Sequence, residues 1–148
     1  MGNVSFNVFI NRSQQDVFDF LSNPANLSKW NTSFESAEWA SSGEPGVGSA
    51  FRGSSSVLGS KKEMLFEIVQ WDPPNRYGYR MNERLLFIIN GFESIITLSP
   101  KDNGTQVTFE SQFEIIGAMK FTEVFFARMG EKGDGGNFNT AKQLLEAG

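Results

Sequence analysis

Two tyrosines, Tyr77 and Tyr79, stand one residue apart in a chain of 148 residues that contains no histidine and no cysteine. They alternate with Arg76, Gly78 and Arg80, so both phenols, and Met81 after them, face one side of a strand. A phenol on an apolar face can orient a carbonyl or hydroxyl group and can act as a general acid, although a satisfied phenol in a core is the commoner use of tyrosine. A carboxylate is the second candidate. In the segment 61–71 one alternation buries Met64, Phe66, Ile68 and Gln70; the other buries Leu65, Val69 and Trp71 together with Glu63 and Glu67. The first is preferred because it leaves both carboxylates in water. Under the second, desolvation would raise the pKa of Glu67 and make it the strongest acid/base in the chain.

Composition removes most other chemistry. Without imidazole or thiol there is no Ser-His-Asp or Cys-His nucleophile, no thiol redox pair and no Cys/His zinc site. No run has EF-hand form. The glycine-rich stretch from Gly53 to Lys61 fails phosphate-loop spacing, because Ser60 separates Gly59 from Lys61. No catalytic residue, metal or cofactor is assigned.

The elements that position these residues follow from periodicity. Val4, Phe6, Val8 and Ile10 alternate with polar residues and predict a strand over 3–10. Ser13, three residues before Asp16, opens a short helix through Val17, Phe18, Phe20 and Leu21. Pro24 starts a second short helix that reaches Trp30. Strands are expected at 35–41, 48–53, 61–71, 76–82, 86–98 and 105–116, separated by turn chemistry at 43–46, 53–56, 72–75 and 102–104. Short connections imply antiparallel neighbours. In the last strand Val107, Phe109, Ser111, Phe113 and Ile115 share a face; in strand 86–98 the matching face carries Ile88, Asn90, Phe92, Ser94, Ile96 and Leu98.

The tail from about residue 118 is helical, with two stripes that disagree. Phe121, Phe125 and Met129 form one, and Phe138, Ala141 and Leu145 another. At about 100° per residue, an unbroken helix places Met129 and Phe138 on opposite sides. Gly133-Asp134-Gly135-Gly136 lies between them, so a kink or break is expected there.

Fifteen phenylalanines and three tryptophans can line or fill a large apolar interior. A chain of this length is expected to form one domain, 1–148. The net charge of −4 carries no basic block, so nucleic acid and anionic membrane surfaces are unfavourable partners. The run Leu85 to Ile89 is far short of the roughly 20 residues of a membrane span. A start without a charged and apolar leader, and the absence of cysteine, point to a cytoplasmic location. Oligomeric state stays open.

The order strand, two short helices, six strands and a C-terminal helix resembles the START-like or Bet v 1-like (SRPBCC) superfamily, in particular its polyketide cyclase/dehydrase-like branch. The residues that carry the resemblance are Val17-Phe18-Asp19-Phe20-Leu21-Ser22-Asn23-Pro24 with Leu27, Lys29, Trp30 and Asn31. Gly46-Val47-Gly48 leading into Phe51, Val69 to Arg76, and Gly104-Thr105-Gln106-Val107-Thr108 agree. The resemblance implies an α+β helix-grip fold, a seven-stranded antiparallel sheet curled around the last helix with a cavity between them. It implies a hydrophobic or amphipathic small-molecule ligand, lipid-, polyketide- or quinone-like, and no shared catalytic residue. Residues expected to line such a cavity are Trp30, Phe51, Phe66, Tyr77, Tyr79, Asn90, Phe92, Ser94, Phe109, Ser111, Phe113, Phe121, Phe125 and Met129. Trp30 is either a core plug or part of the closed end, and Asn90, Ser94 and Ser111 need partners if buried. Three functions follow: a binding domain; a cyclase or dehydratase that uses Tyr77, Tyr79 or Glu67; and a regulatory or interaction module whose cavity is filled by its own Phe side chains.

Overall fold

The alternating first segment forms β1 (Gly2–Ile10). The structure, a computed structural model, describes residues 2–57, 59–85 and 89–148. The Ser13 hydroxyl accepts from the Asp16 N–H at 3.2 Å and starts α1 (Gln14–Ser22). Asn23 caps a 3-10 turn beginning at Pro24, and α2 (Leu27–Trp30) follows. Then come β2 (Ser36–Trp39), β3 (Ala50–Val57), β4 (Ser60–Asp72), β5 (Arg76–Leu85), β6 (Ile89–Lys101) and β7 (Gly104–Ile115). Among the described residues these make one seven-stranded antiparallel sheet in the order β1-β7-β6-β5-β4-β3-β2. A 3-10 segment, Gly117–Thr122, leads into α3 (Glu123–Ala147), which lies along β1. This is the helix-grip fold.

Register sets out the sheet's inner face in rows. Val4, Ser111, Ser94, Tyr79 and Ile68 are successive cross-strand partners from β1 to β4. The next row toward the α1 end is Phe6, Phe109, Ile96, Tyr77 and Trp71, and the row on the other side is Gly2, Phe113, Phe92 and Met81. Phe66 and Met81 are 1% exposed, and burying a side chain of that size contributes about 2–3 kcal/mol.

Strand parity in 61–71 follows the preferred alternation through Met64, Phe66 and Ile68, with Leu65, Glu63 and Glu67 outside. It then changes. A bulge between Ile68 and Gln70 shifts the register, so Trp71 turns inward and meets Phe18 with ring centroids 5.1 Å apart. A bulge inserts one residue and reverses which side its successors face. The same event corrects Asn90. The β5–β6 ladder is irregular between Met81 and Arg84 and the β6–β7 ladder between Ile89 and Phe92, with Gly91 at φ 78°. Asn90 is therefore exposed while Phe92 packs on the core; Ile88, expected on the same face, lies outside the described residues. The turn expected at 53–56 is instead ladder, with Gly53 to Ser56 paired to Met64 to Lys61. Gly53 is small for a packing reason, since the Phe34 ring occupies the space a Cβ would take.

The expected break at 133–136 does not occur: α3 runs as one helix from Glu123 to Ala147. The two disagreeing stripes are accommodated differently. Phe138, Ala141 and Leu145 are buried, while Phe121, Phe125 and Met129 face outward at 81%, 62% and 54% exposure. Toward its C-terminus the helix is held firmly. Asn137 accepts from Thr32 N–H and Oγ1 and donates to the Asn31 side chain, Arg12 donates to the Leu145 and Gly148 carbonyls, and Lys142 donates to the Phe9 carbonyl. At its other end the Ile115 N–H donates to the Glu123 carboxylate at 3.4 Å.

Candidate functional site

The row Val4–Ser111–Ser94–Tyr79–Ile68 places three hydroxyls side by side on an otherwise apolar concave face. Ser94 Oγ donates to Ser111 Oγ at 2.9 Å, and Ser94 is 1% exposed, so these two satisfy one another as buried hydroxyls must. Ser94 is also the ladder partner of Tyr79. Burial raises the Tyr79 pKa, with the negative charge of Asp134 adding to it and the Ser94 side chain opposing. The phenol therefore stays protonated and serves as a donor.

Around this row stand aromatic rings. Phe51 and Phe66 stack at 4.8 Å, and Tyr79 meets their edges at 5.8 and 5.9 Å. Phe92 closes the group at 6.1 Å from Phe66 and 6.3 Å from Tyr79. Tyr79, Phe92 and Phe113 face inward yet remain partly accessible. Tyr77 is different. At 4% exposure it is buried one row away, against Phe18 and Trp71, and burial followed by the neighbouring Tyr79 raises its pKa well above the ordinary value.

The opposite wall is α3. Its sheet-facing stripe runs Ala127, Gly130, Asp134, Phe138, Ala141, Leu145, at the spacing of three or four residues that a helix requires. A Cβ on Gly130 would stand 3.3 Å from Val4, at the end of the hydroxyl row. Phe138 lies over the next row, 5.5 Å from Phe6 and 5.2 Å from Phe109. Asp134, between them, is partly buried, and its carboxyl is pushed up to about 6 by burial. The spacing of residues could have revealed it: stepping back from Leu145, Ala141 and Phe138 by helical intervals lands on Asp134, provided the helix continues through its glycines.

The structure thus brings together Phe51, Phe66, Tyr79, Phe92, Ser94, Ser111 and Phe113, with Phe109 beneath Phe138. It separates from them the outward Phe121, Phe125 and Met129 and the exposed Asn90. The helical stripe of the first three was the outer one; the residues of that half of α3 on the sheet-facing stripe are Ala127, Gly130 and Asp134, with Phe126 half-buried beside Ala127. Glu67 also stays outside, paired with Arg80 at 2.8 Å. Trp30 is 4% exposed and packs on Phe138 at 5.0 Å; among the described residues its indole N–H has no acceptor. Two clefts open on the surface. One, of about 610 Å³, lies between β1 and α3 and is lined by Asn7, Arg128, Glu131 and Lys132 among others; the other, of about 570 Å³, lies on β2 to β4. Both have charged linings, unlike the concave face. Among the described residues no helix is long and apolar enough to cross a membrane.

A curled sheet gripping a long helix, with a few hydroxyls in an aromatic interior, defines the class of helix-grip proteins. The chain belongs to the family described as polyketide cyclase / dehydrase and lipid transport, whose model matches residues 1–142, within the START-like or Bet v 1-like superfamily. No curated protein matches the sequence. Among solved structures the chain is similar to Ara h 8.0201, at 16% identity and TM-score 0.77 over 99% of this chain and 98% of that one. It is similar to TTHA0849 from Thermus thermophilus, at 17% identity and TM-score 0.77 over 98% and 97%. It is also similar to the di-domain ARO/CYC protein BexL of the BE-7585A biosynthetic pathway, at 11% identity and TM-score 0.81, covering 99% of this chain and 47% of that one.

Proposed function

We propose that this protein binds a hydrophobic or amphipathic small molecule between the sheet's concave face and the first half of α3. The observation that carries this reading is the pairing of walls. Tyr79, Phe92 and Phe113 face inward but are only partly covered, and the helix opposite them presents Ala127, Gly130 and Asp134 rather than large apolar side chains. Apolar surface buried there contributes about 25 cal/mol per Å², against several kcal/mol of lost rigid-body freedom, so a mid-sized lipid-like or polyketide-like ligand gains affinity from burial alone. Tyr79, Ser94 and Ser111 meet its polar end. The Phe51–Phe66 stack fills one end of the interior, which limits the ligand to the part beside α3.

The test is native mass spectrometry of the purified protein with extraction of any bound molecule, repeated with Ala127→Trp. Wild type is expected to carry a removable apolar ligand, and the Trp variant to fold without it. Equal ligand content in both proteins refutes this location. A second reading, a dehydratase-type enzyme, is favoured by one observation: Asp134, with its carboxyl near 6, lies close enough to raise the Tyr79 pKa, and a carboxyl tuned toward neutrality beside a phenol donor suits acid–base work. In that reading Tyr79 is the phenol among the candidates considered, and Asp134 takes the carboxylate role considered for Glu67.

A further inference from the structure

The inner stripe of α3 carries one ionisable group at the level of the hydroxyl row. Asp134 follows Gly130, which sits against Val4, by one helical turn, and precedes Phe138 by another. Its carboxylate is close enough to the Tyr79 phenol to act on it electrostatically. Among the described residues no cation pairs with Asp134, and burial is the sole cause of its raised pKa. The groups that face it from the sheet are neutral. Tyr79 and Tyr77 face from β5, Ser94 and Ser111 from β6 and β7, and on α3 itself the neighbouring Glu131 and Lys132 are exposed. The concave face thus has fixed donors on the sheet and, across from them, one uncompensated negative group.

Such an arrangement discriminates by head group. We propose that Asp134 is a specificity-determining residue that admits neutral or cationic amphiphiles, with a hydroxyl or phenol donating to its carboxylate while Tyr79 donates to a neighbouring carbonyl or hydroxyl, and that turns away amphiphiles headed by a carboxylate or phosphate. This rests on the binding reading above and narrows it. An anionic head would be placed beside a second anion where water is scarce and screening weak. A neutral hydroxy-carbonyl or phenolic ligand satisfies both polar walls, and specificity of this kind comes from the repulsive element as much as the attractive one.

The experiment uses Nile red, a neutral dye, as reporter of chamber occupancy, displaced at about pH 8 by decylamine, decan-1-ol or decanoate, three amphiphiles of one tail length. Wild type is expected to bind decanol at least about tenfold more tightly than decanoate, with decylamine at least as tight as decanol. In Asp134→Asn the ratio of decanol to decanoate should fall to within about threefold, through a gain for decanoate, and the advantage of decylamine should vanish. Equal affinity of wild type for all three heads overturns the proposal without any variant, as does an unchanged ratio in Asp134→Asn while Nile red still binds. Should the Asn variant not fold, Asp134→Ala gives the same comparison. If wild type does not bind Nile red or any competitor, the binding reading itself is refuted, and this proposal with it.

Discussion

Asp134 puts a charge in a region the remaining residues keep neutral, and that has a measurable cost to the fold. Its carboxyl titrates near 6 in the folded chain and near 3.9 when unfolded. The folded state therefore holds the proton more tightly, and stability is greatest below about pH 4, declines as pH rises toward 6, and is flat above that. The difference amounts to at most about 3 kcal/mol. Asp134→Asn, which cannot ionise, is expected to melt several degrees above wild type at pH 7.5 and at the same temperature near pH 4. A thermal scan of both proteins across that range checks it. Equal melting at all pH values would mean the carboxylate is fully hydrated.

At the scale of elements, α3 is a helix of two unlike halves. The C-terminal half buries Phe138, Ala141 and Leu145 and is tied through Asn137, Lys142 and Arg12; the N-terminal half turns Val124, Phe125 and Met129 to solvent. Phe121→Gln or Phe125→Gln should therefore change stability by no more than about 0.5 kcal/mol, as at ordinary surface positions. Phe138→Ala should cost about 3–5 kcal/mol. Chemical denaturation of the three variants separates an outward stripe from a lining one. The glycines make a second test. Gly133, Gly135 and Gly136 lie within the helix, and a Cβ on any of them would meet nothing within 4 Å. Alanine at each is expected to stabilise the protein by about 0.5–1 kcal/mol, measured as a shift in denaturation midpoint. A loss at any one would mean the helix interior is distorted there.

These two elements also mark what the residues alone could tell. Periodicity located all seven strands and the order of elements, because alternation between Val4 and Ile10 or between Val107 and Ile115 directly encodes a half-buried strand. It failed where a backbone irregularity changes the phase. Trp71 follows a bulge and Asn90 lies within a ladder irregularity, and neither has a strong signature in side-chain pattern. In the helix the two stripes do conflict, but the conflict is resolved by turning Phe121, Phe125 and Met129 outward and not by a break at the glycines. Packing around Phe138 worth about 3–5 kcal/mol, together with the Asn137 and Arg12 ties, outweighs a few kcal/mol of unfavourable glycine propensity. Treating the helix as broken hid Asp134, whose position is evident only in a continuous helix. Of the candidate site, the inward placement of Tyr79, Ser94 and Ser111 is legible because register follows from alternation.

At the scale of the whole molecule, the sheet is curled but does not close, so β1 and β2 are both edges. An unpaired edge invites strand addition from another chain, and the two edges avoid it in different ways. β2 is four residues long, too short to template much. β1 is nine residues long and would be the greater hazard, but α3 lies along it, Lys142 Nζ occupies the Phe9 carbonyl, and the Glu146 carboxylate takes the Asn11 N–H just beyond the strand. The helix that forms one wall of the interior is thus also the edge's cover. Lifting all of α3 would bare a sticky strand to every neighbouring copy, whereas the Lys142 and Glu146 clasps sit on its C-terminal half alone. The C-terminal half of one helix is therefore enough to keep the long edge covered.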